Sequence, residues 1–221
     1  MADLATIVSY DTLLTAAAEY IARSDLDEYF ANFVQLTEKR FNSALKAPGM
    51  EQIASINLDS ASKSAPVPAE YVEWISAEWT GTGTGARSRF LRFVEPNSPE
   101  FTYRHRPNGS PQYYTVLAGA VRIRPYVAGS ISLAFYRQIP GLSASAQTNW
   151  LILKAPQLYL YGVLAEAYTF QKDEANAAKW RADADERLKL FIAESNQGKV
   201  GRRAEKAAEM EAEAAAAKAL N

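Results

Sequence analysis

The stretch Gly81–Arg89, GTGTGARSR, is where glycine spacing invites comparison with a phosphate-cradling loop. Such loops work by aiming backbone N–H groups at the phosphate from the first turn of a helix. A nucleotide loop of that kind would carry Lys followed by Ser or Thr, which this stretch lacks. A dinucleotide fingerprint needs a helix directly after it, whereas Phe90, Leu91, Arg92 and Phe93 read as a strand. The expectation is a flexible hairpin turn. His105 is the sole imidazole and sits between Arg104 and Arg106, which oppose a bound cation; no carboxylate pair stands near it at ligand spacing. It reads as an exposed loop histidine. Asp25/Asp27 and Asp183/Asp185 read as helix starts and solvated helix faces. The chain has no Cys, hence no thiol nucleophile, thiolate metal site or disulfide framework, and no serine sits in a nucleophile elbow. No enzyme activity, metal or cofactor is expected.

Charge is distributed less blandly than its total suggests. The 221 residues carry a net charge of −1. From Thr80 to Pro140, however, there are eight Arg, no Lys or Asp, and only Glu95 and Glu100, a local balance of +6 against −7 for the rest. Arg without Lys points to fixed, bidentate contacts more than to a loose electrostatic surface. Arg122, Arg124 and Arg137 are the candidates to face a neighbouring subunit or a nucleic-acid channel.

The elements that would carry these residues follow from periodicity. Leu13, Ala17 and Ile21 place a helix over Asp11–Arg23. Asp25 and Glu28 offer a capping box for a second helix from Leu26 to about Leu45, striped by Phe30, Phe33, Val34, Thr37 and Phe41, and the APGM of Ala47–Met50 ends it. A short connection makes these two an antiparallel pair. Strand-like runs follow: EQIASINL, then, after a Ser/Ala/Pro loop over Asp59–Glu70, Tyr71–Trp79, Ser88–Val94, QYYTVLA, AVRIRP and ISLAFYRQI. Their spacing suggests a meander or small sandwich. A helical turn near Pro99 interrupts them. Asn149 should cap a short turn through Lys154, and Pro156 should open a helix to Phe170. A last amphipathic helix over Asp173–Ser195 is expected to stop at NQGK, with Gly198 at the C′ position. The Ala-rich remainder has no wide apolar stripe and should fray alone.

The expected architecture is α+β. A helical bundle, made of an N-terminal helix pair (1–50) and C-terminal helices (141–197), carries a central antiparallel β insert (51–140) and an extended helical C-terminal tail (198–221). The run Gln157–Phe170 is apolar on nearly every side, with Glu166 its lone charge, so something must cover it. It is too short to span a bilayer, which needs roughly 20 residues, and MADLATIVSY lacks the regions of a signal peptide. No membrane role is expected.

The same run carries a resemblance. TNWLILKAPQLYLYGVLAEA (Thr148–Ala167) resembles the signature of head–tail adaptor (connector) proteins of tailed bacteriophages: Asn-Trp-Leu, then Pro, Tyr-Leu-Tyr-Gly and Leu-x-Glu-Ala. Trp150, Pro156, Tyr159, Tyr161 and Gly162 form the core of that match. VPAEYVEW (Val67–Trp74) and the N-terminal helix pair, with Glu38 and Arg40, are similar to further parts of the family. The resemblance implies a structural virion protein at the capsid–tail junction, assembled in the bacterial host cytoplasm. It implies a ring of copies of itself, typically a dodecamer, beneath the portal, extending the DNA channel with transient contact with phage DNA, and presenting a platform to tail or nozzle proteins. A C-terminal extension commonly reaches onto the portal in such proteins. Here Arg202, Arg203, Lys206 and Met210 are the expected contacts, and a neighbouring subunit is expected to cover the rest of the apolar helix. Two other readings stay open: a tail or nozzle structural subunit, and a nucleic-acid-binding module using the Arg-rich strands.

Overall fold

The computed structural model describes residues 7–23, 25–83, 85–102 and 109–219, with side chains described as far as Asn196. The chain divides into two compact units. One is discontinuous, Met1–Gly49 with Ile139–Asn221, and the other is the intervening Met50–Gln138.

The discontinuous unit is helical. α1 (Tyr10–Ile21) starts at Ser9, whose hydroxyl accepts from Thr12 N–H while Thr12 Oγ1 accepts from Ser9 N–H, a reciprocal capping box. α2 (Phe30–Ala44) has no side-chain cap. A single 3₁₀ turn, Asp27–Tyr29, leads into it, and Asp25 pairs with Arg23 through two hydrogen bonds of 2.9 and 2.6 Å. The expected Asp25–Glu28 box therefore does not form: a guanidinium two residues away offers the carboxylate a fork that the backbone cannot match. Three helices lie in the later segment: α4 (Trp150–Lys154), α5 (Pro156–Phe170) and α6 (Glu174–Ala219).

α5 is the centre of this unit and packs on α1, α2, α4 and α6. Leu158, Tyr159, Leu160, Val163, Leu164 and Ala165 are fully buried within the single chain, and only Thr169 and Phe170 at its C-terminal end are exposed. The chain itself covers the apolar helix, so the expected neighbour is not required for that purpose. Nor does α6 stop at Gly198. It runs unbroken for 46 residues, about 69 Å at 1.5 Å per residue. Its two interior glycines, Gly198 and Gly201, cost about 1 kcal/mol each, which the flanking Ala, Glu, Lys and Arg, all strong helix formers, outweigh.

The continuous unit overturns the expected helical bundle with an antiparallel meander or sandwich inserted in it. It holds β1 (Glu51–Asn57), β2 (Ser64–Pro66), β3 (Tyr71–Gly81), β4 (Ser88–Phe93), β5 (Tyr113–Leu117), β6 (Ala120–Arg124) and β7 (Gly129–Arg137), with the short α3 (Pro99–Thr102) between β4 and β5. They form one mixed sheet in the order β1-β7-β3-β4-β5-β6-β2, and its edge strands β1 and β2 touch, so the sheet is nearly a closed barrel. The pair β4–β5 is parallel and every other pair antiparallel. Nineteen residues, 94–112, separate the two strands, and β5 begins beside the end of β4, with Tyr113 opposite Arg92 and Tyr114 opposite Phe93; a parallel pair needs such a long connection. β2 lies inside the stretch expected to be loop; Asp59 holds its turn, accepting from the N–H groups of Ala61 and Ser62.

Two irregularities in β3, between Tyr71 and Glu73 and between Trp74 and Ser76, bend that long strand. They also turn Trp74 inward, where it stacks on Phe93 at 4.2 Å with Tyr114 edge-on to both rings. Leu133, Ile131, Phe135, Ala77, Val121 and Ile123 fill the remaining interior.

Gly129 on β7 faces Gly81 on β3, and the Trp79 indole lies across them. A Cβ at Gly129 would collide with the Thr80 carbonyl oxygen and that indole. Gly129→Val should lower barrel stability by about 1–3 kcal/mol, the usual cost of overpacking. Chemical denaturation followed by tryptophan fluorescence checks this, and an unchanged midpoint would show that the strands spread freely there.

Candidate functional site

Glu38 sits on the apolar face of α2, only 7% exposed. A carboxylate there must find donors, since burying it without hydrogen bonds is prohibitive. Two converge on Oε1: Leu142 N–H at 2.8 Å and the Tyr159 hydroxyl of α5 at 3.1 Å. Tyr159 Oη in turn accepts from Asn149 Nδ2 at 2.7 Å, whose second hydrogen goes to the Pro140 carbonyl at 2.7 Å. Asn149 Oδ1 accepts from Leu151 and Ile152 N–H and so caps α4. Each polar atom of this amide has its partners.

The same network fixes the segment 139–149. Ile139 N–H donates to Asn42 Oδ1 of α2 at 2.7 Å, and Tyr10 N–H at the start of α1 donates to the Gln147 carbonyl at 2.7 Å. Burial raises the Glu38 pKa above its ordinary value, and its two hydrogen bonds only partly offset that. Tyr159 is pushed far up by burial, then by the Glu38 charge and its hydrogen bonding. A phenol held neutral and a carboxylate with no cation beside it among the described residues can hold helices together.

The other motif residues surround this knot. Trp150 lies against Gly49, where a Cβ would run into the indole, and stacks on Phe191 of α6 at 6.3 Å. Pro156 opens α5, Tyr161 meets Trp180 of α6 at 5.4 Å, and Gly162 packs so closely on Thr37 of α2 that a Cβ would overlap its methyl group. Arg40 of α2 pairs with Asp185 of α6. The motif is thus the mutual contact surface of α2, α4, α5 and α6.

The arginines expected at an interface do not form one cluster. Arg122 and Arg124 lie on β6 and Arg137 on β7, with β3, β4 and β5 between. Arg122 is exposed; Arg124 covers the Phe101 ring at 5.1 Å; Arg137 is 3.9 Å from Glu70. Arg202, Arg203, Lys206 and Met210 fall on the α6 backbone, but their side chains lie outside the described residues, as do Arg104, His105 and Arg106 altogether. Among the described residues no acidic or histidine cluster could hold a metal ion, and no helix is long and apolar enough to cross a membrane. Glu38 and Asn42 were the residues sequence reasoning undervalued. The available signal was a carboxylate at i+4 from Val34 and i−3 from Phe41, squarely on the buried stripe.

Protonation of Glu38 couples this knot to pH. A raised folded-state pKa means the native state binds the proton more tightly, so the associated stability is full below the unfolded value and is lost as pH rises through the folded one. Glu38→Gln, which mimics the protonated acid, should therefore match the wild type near pH 4.5 and melt at least as high at pH 7.5. Glu38→Leu leaves the Leu142 N–H and the Tyr159 hydroxyl without an acceptor and should cost about 1–3 kcal/mol per group at either pH. Thermal melts across pH check both; a Gln variant much weaker than wild type at pH 7.5 would contradict the account.

A comparison with protein-family models matches residues 8–214 to the family described as SU10 adaptor protein. No curated protein sequence gives a significant match. The match spans both compact units and takes in the whole helix-packing motif, and it agrees with the resemblance carried by Thr148–Ala167. The chain belongs to the SU10 adaptor protein family, a phage head–tail adaptor family.

Proposed function

We propose that this chain is a structural subunit that assembles as a ring, a dodecamer, beneath the phage portal, extends the DNA channel and offers a docking platform to tail or nozzle proteins. Family membership supports the adaptor role, and an adaptor's role is structural rather than enzymatic. The observation that carries the finer reading is α6. α5 is about 22 Å long, less than a third of α6, so most of α6 has no counterpart in the helix it packs on. Beyond Ser195 α6 is Ala-rich with no wide apolar stripe, and since helices in proteins draw most of their stability from packing, a partner's surface would stabilise this part.

In this reading the portal supplies that surface, with Arg202, Arg203, Lys206 and Met210 as contacts. Arg122 and Arg124 face the next subunit or the channel, where DNA passes during packaging and ejection, and Arg137 holds Glu70 at the end of β7. The protein is a virion component assembled in the host cytoplasm.

Truncation after Gly198 removes the distal part of α6 and leaves Tyr10–Ser195 intact. The truncated protein should melt within about 0.5 kcal/mol of the full chain, as expected when no packed contact is lost, yet attach poorly to the portal. Co-sedimentation with portal rings, with hydrogen exchange on α6 amides in free and bound protein, tests this. Full attachment by the truncated form would remove α6 from the docking role.

A further inference from the structure

The two edges of the barrel sheet are built differently. β2 is three residues long and ends in Pro66, which has no N–H to offer a neighbour. β1 is seven residues long, contains neither Lys nor Pro, and pairs with β7 from Glu51 to Asn57 without a bulge. It therefore lacks the features by which exposed sheet edges usually discourage further pairing.

Hydrogen-bond parity shows which groups of β1 are open. Leu58 N–H donates to the Gly129 carbonyl, so in the antiparallel ladder Ile56, Ala54 and Gln52 bond to β7. Ile53, Ser55 and Asn57 turn their N–H and carbonyl groups the other way, toward β2. No ladder joins β1 to β2 among the described residues. The two strands meet only at their turn, where Asp59 N–H donates to the Ser64 carbonyl at 2.9 Å. Ile53 and Ser55 find no backbone partner on that side, and their side chains are exposed, Ile53 by 71%.

The inner face of the same seam is thinly covered. Ile131, Leu133 and Phe135 of β7 and Val121 and Ile123 of β6 are fully buried. Ala54 and Ile56 of β1, and Val67 just past β2, point to the same core yet are only half-buried, and Gln52 is exposed. Free backbone groups and half-covered core residues thus lie along one edge.

We propose that β1 accepts one further strand, an extended segment of the tail or nozzle protein that docks on the ring, with apolar side chains at alternate positions. Its backbone bonds to Ile53 and Ser55, and its inward side chains cover Ala54 and Ile56. This rests on the platform reading above and names the mode of docking. The groups left open on β1 are a row of N–H and carbonyl groups, which only another extended backbone can match along its length. A second copy's β1 is not the occupant. Antiparallel pairing of two β1 strands uses the same surface twice and closes a dimer, whereas a ring needs a contact that runs on from copy to copy.

The test uses the full chain and, as probe, a synthetic copy of β7, GSISLAFYR, whose Ile, Leu and Phe alternate with small or polar residues. The labelled peptide should bind saturably, one per chain, in fluorescence anisotropy. N-methylation of one alternate set of its amides should abolish binding, and N-methylation of the other set should be tolerated, as pairing along a single edge requires. Ser55→Pro removes an N–H that β7 does not use. Its melting should match the wild type while peptide affinity falls at least about tenfold, because the incoming carbonyl loses its donor. If Ser55→Pro melts low, the N-methyl series, which needs no protein variant, decides the point. In particle assembly, Ser55→Pro rings should form on the portal and fail to retain tail or nozzle proteins. A peptide that does not bind, or one that binds folded Ser55→Pro as tightly as wild type by displacing β7, overturns the added strand. Retention of tail proteins by Ser55→Pro rings overturns it as well. Self-association of the wild type that Ser55→Pro abolishes gives the edge to a second copy and overturns the proposed occupant. Rings that never form, or never meet the portal, overturn the reading above, while the peptide measurements still decide the edge.

Discussion

One buried carboxylate governs the helical unit. Glu38 has no cation beside it among the described residues, so its solvation comes from a backbone N–H at Leu142 and the hydroxyl of Tyr159. Those donors exist only if α5 lies against α2 and the segment 139–149 returns to the same spot. Asn149 then fixes the hydroxyl, the Pro140 carbonyl and the first turn of α4 at once. Apolar packing alone would tolerate several registers of α5 on α2. The hydrogen-bond geometry tolerates one, and a half-satisfied version would be worse than an apolar core.

Close approach reinforces that choice. Gly162 sits where α2 and α5 come nearest, with Thr37 filling the space a side chain would take. Trp150 uses Gly49 in the same way and passes the contact on to Phe191 of α6. The residues that carry the adaptor resemblance are thus largely those that set interhelix distances. That explains how a short run of packing residues can carry a recognisable motif. What the motif preserves is a joint.

Much of the helical unit was legible beforehand, because capping and periodicity are local. Asn149 and Pro156 announced α4 and α5, and the α2 stripe named its buried face. The failures came where a local rule met a non-local partner. The Asp25–Glu28 pattern lost to the Arg23 side chain, and Gly198 lost to the helix formers around it. In the barrel each strand could be read from alternation and composition, but their order could not. Nothing in QYYTVLA reveals that β5 runs parallel to β4, since that follows from the path of the long segment between them. β2 was missed because three residues, one of them Pro66, carry too little alternation to read. Charge reasoning found the Arg-rich stretch but not its dispersal over β4, β6 and β7, which depends on that same strand order.

The pairing of β1 with β7 has a kinetic meaning. Glu38 and Tyr159 are 121 residues apart in sequence, and a chain contact that distant is slow to form because loop closure must come first. β1 and β7 are the first and last strands of the barrel, and Glu51 stands opposite Tyr136. Once the barrel has formed, the two ends of the intervening chain leave it side by side. The separation that α2 and α5 must then bridge shrinks to the short stretches 39–50 and 137–158. Pairing of β1 with β7 thus shortens the loop that the α2–α5 contact must close, and lowers its closure entropy.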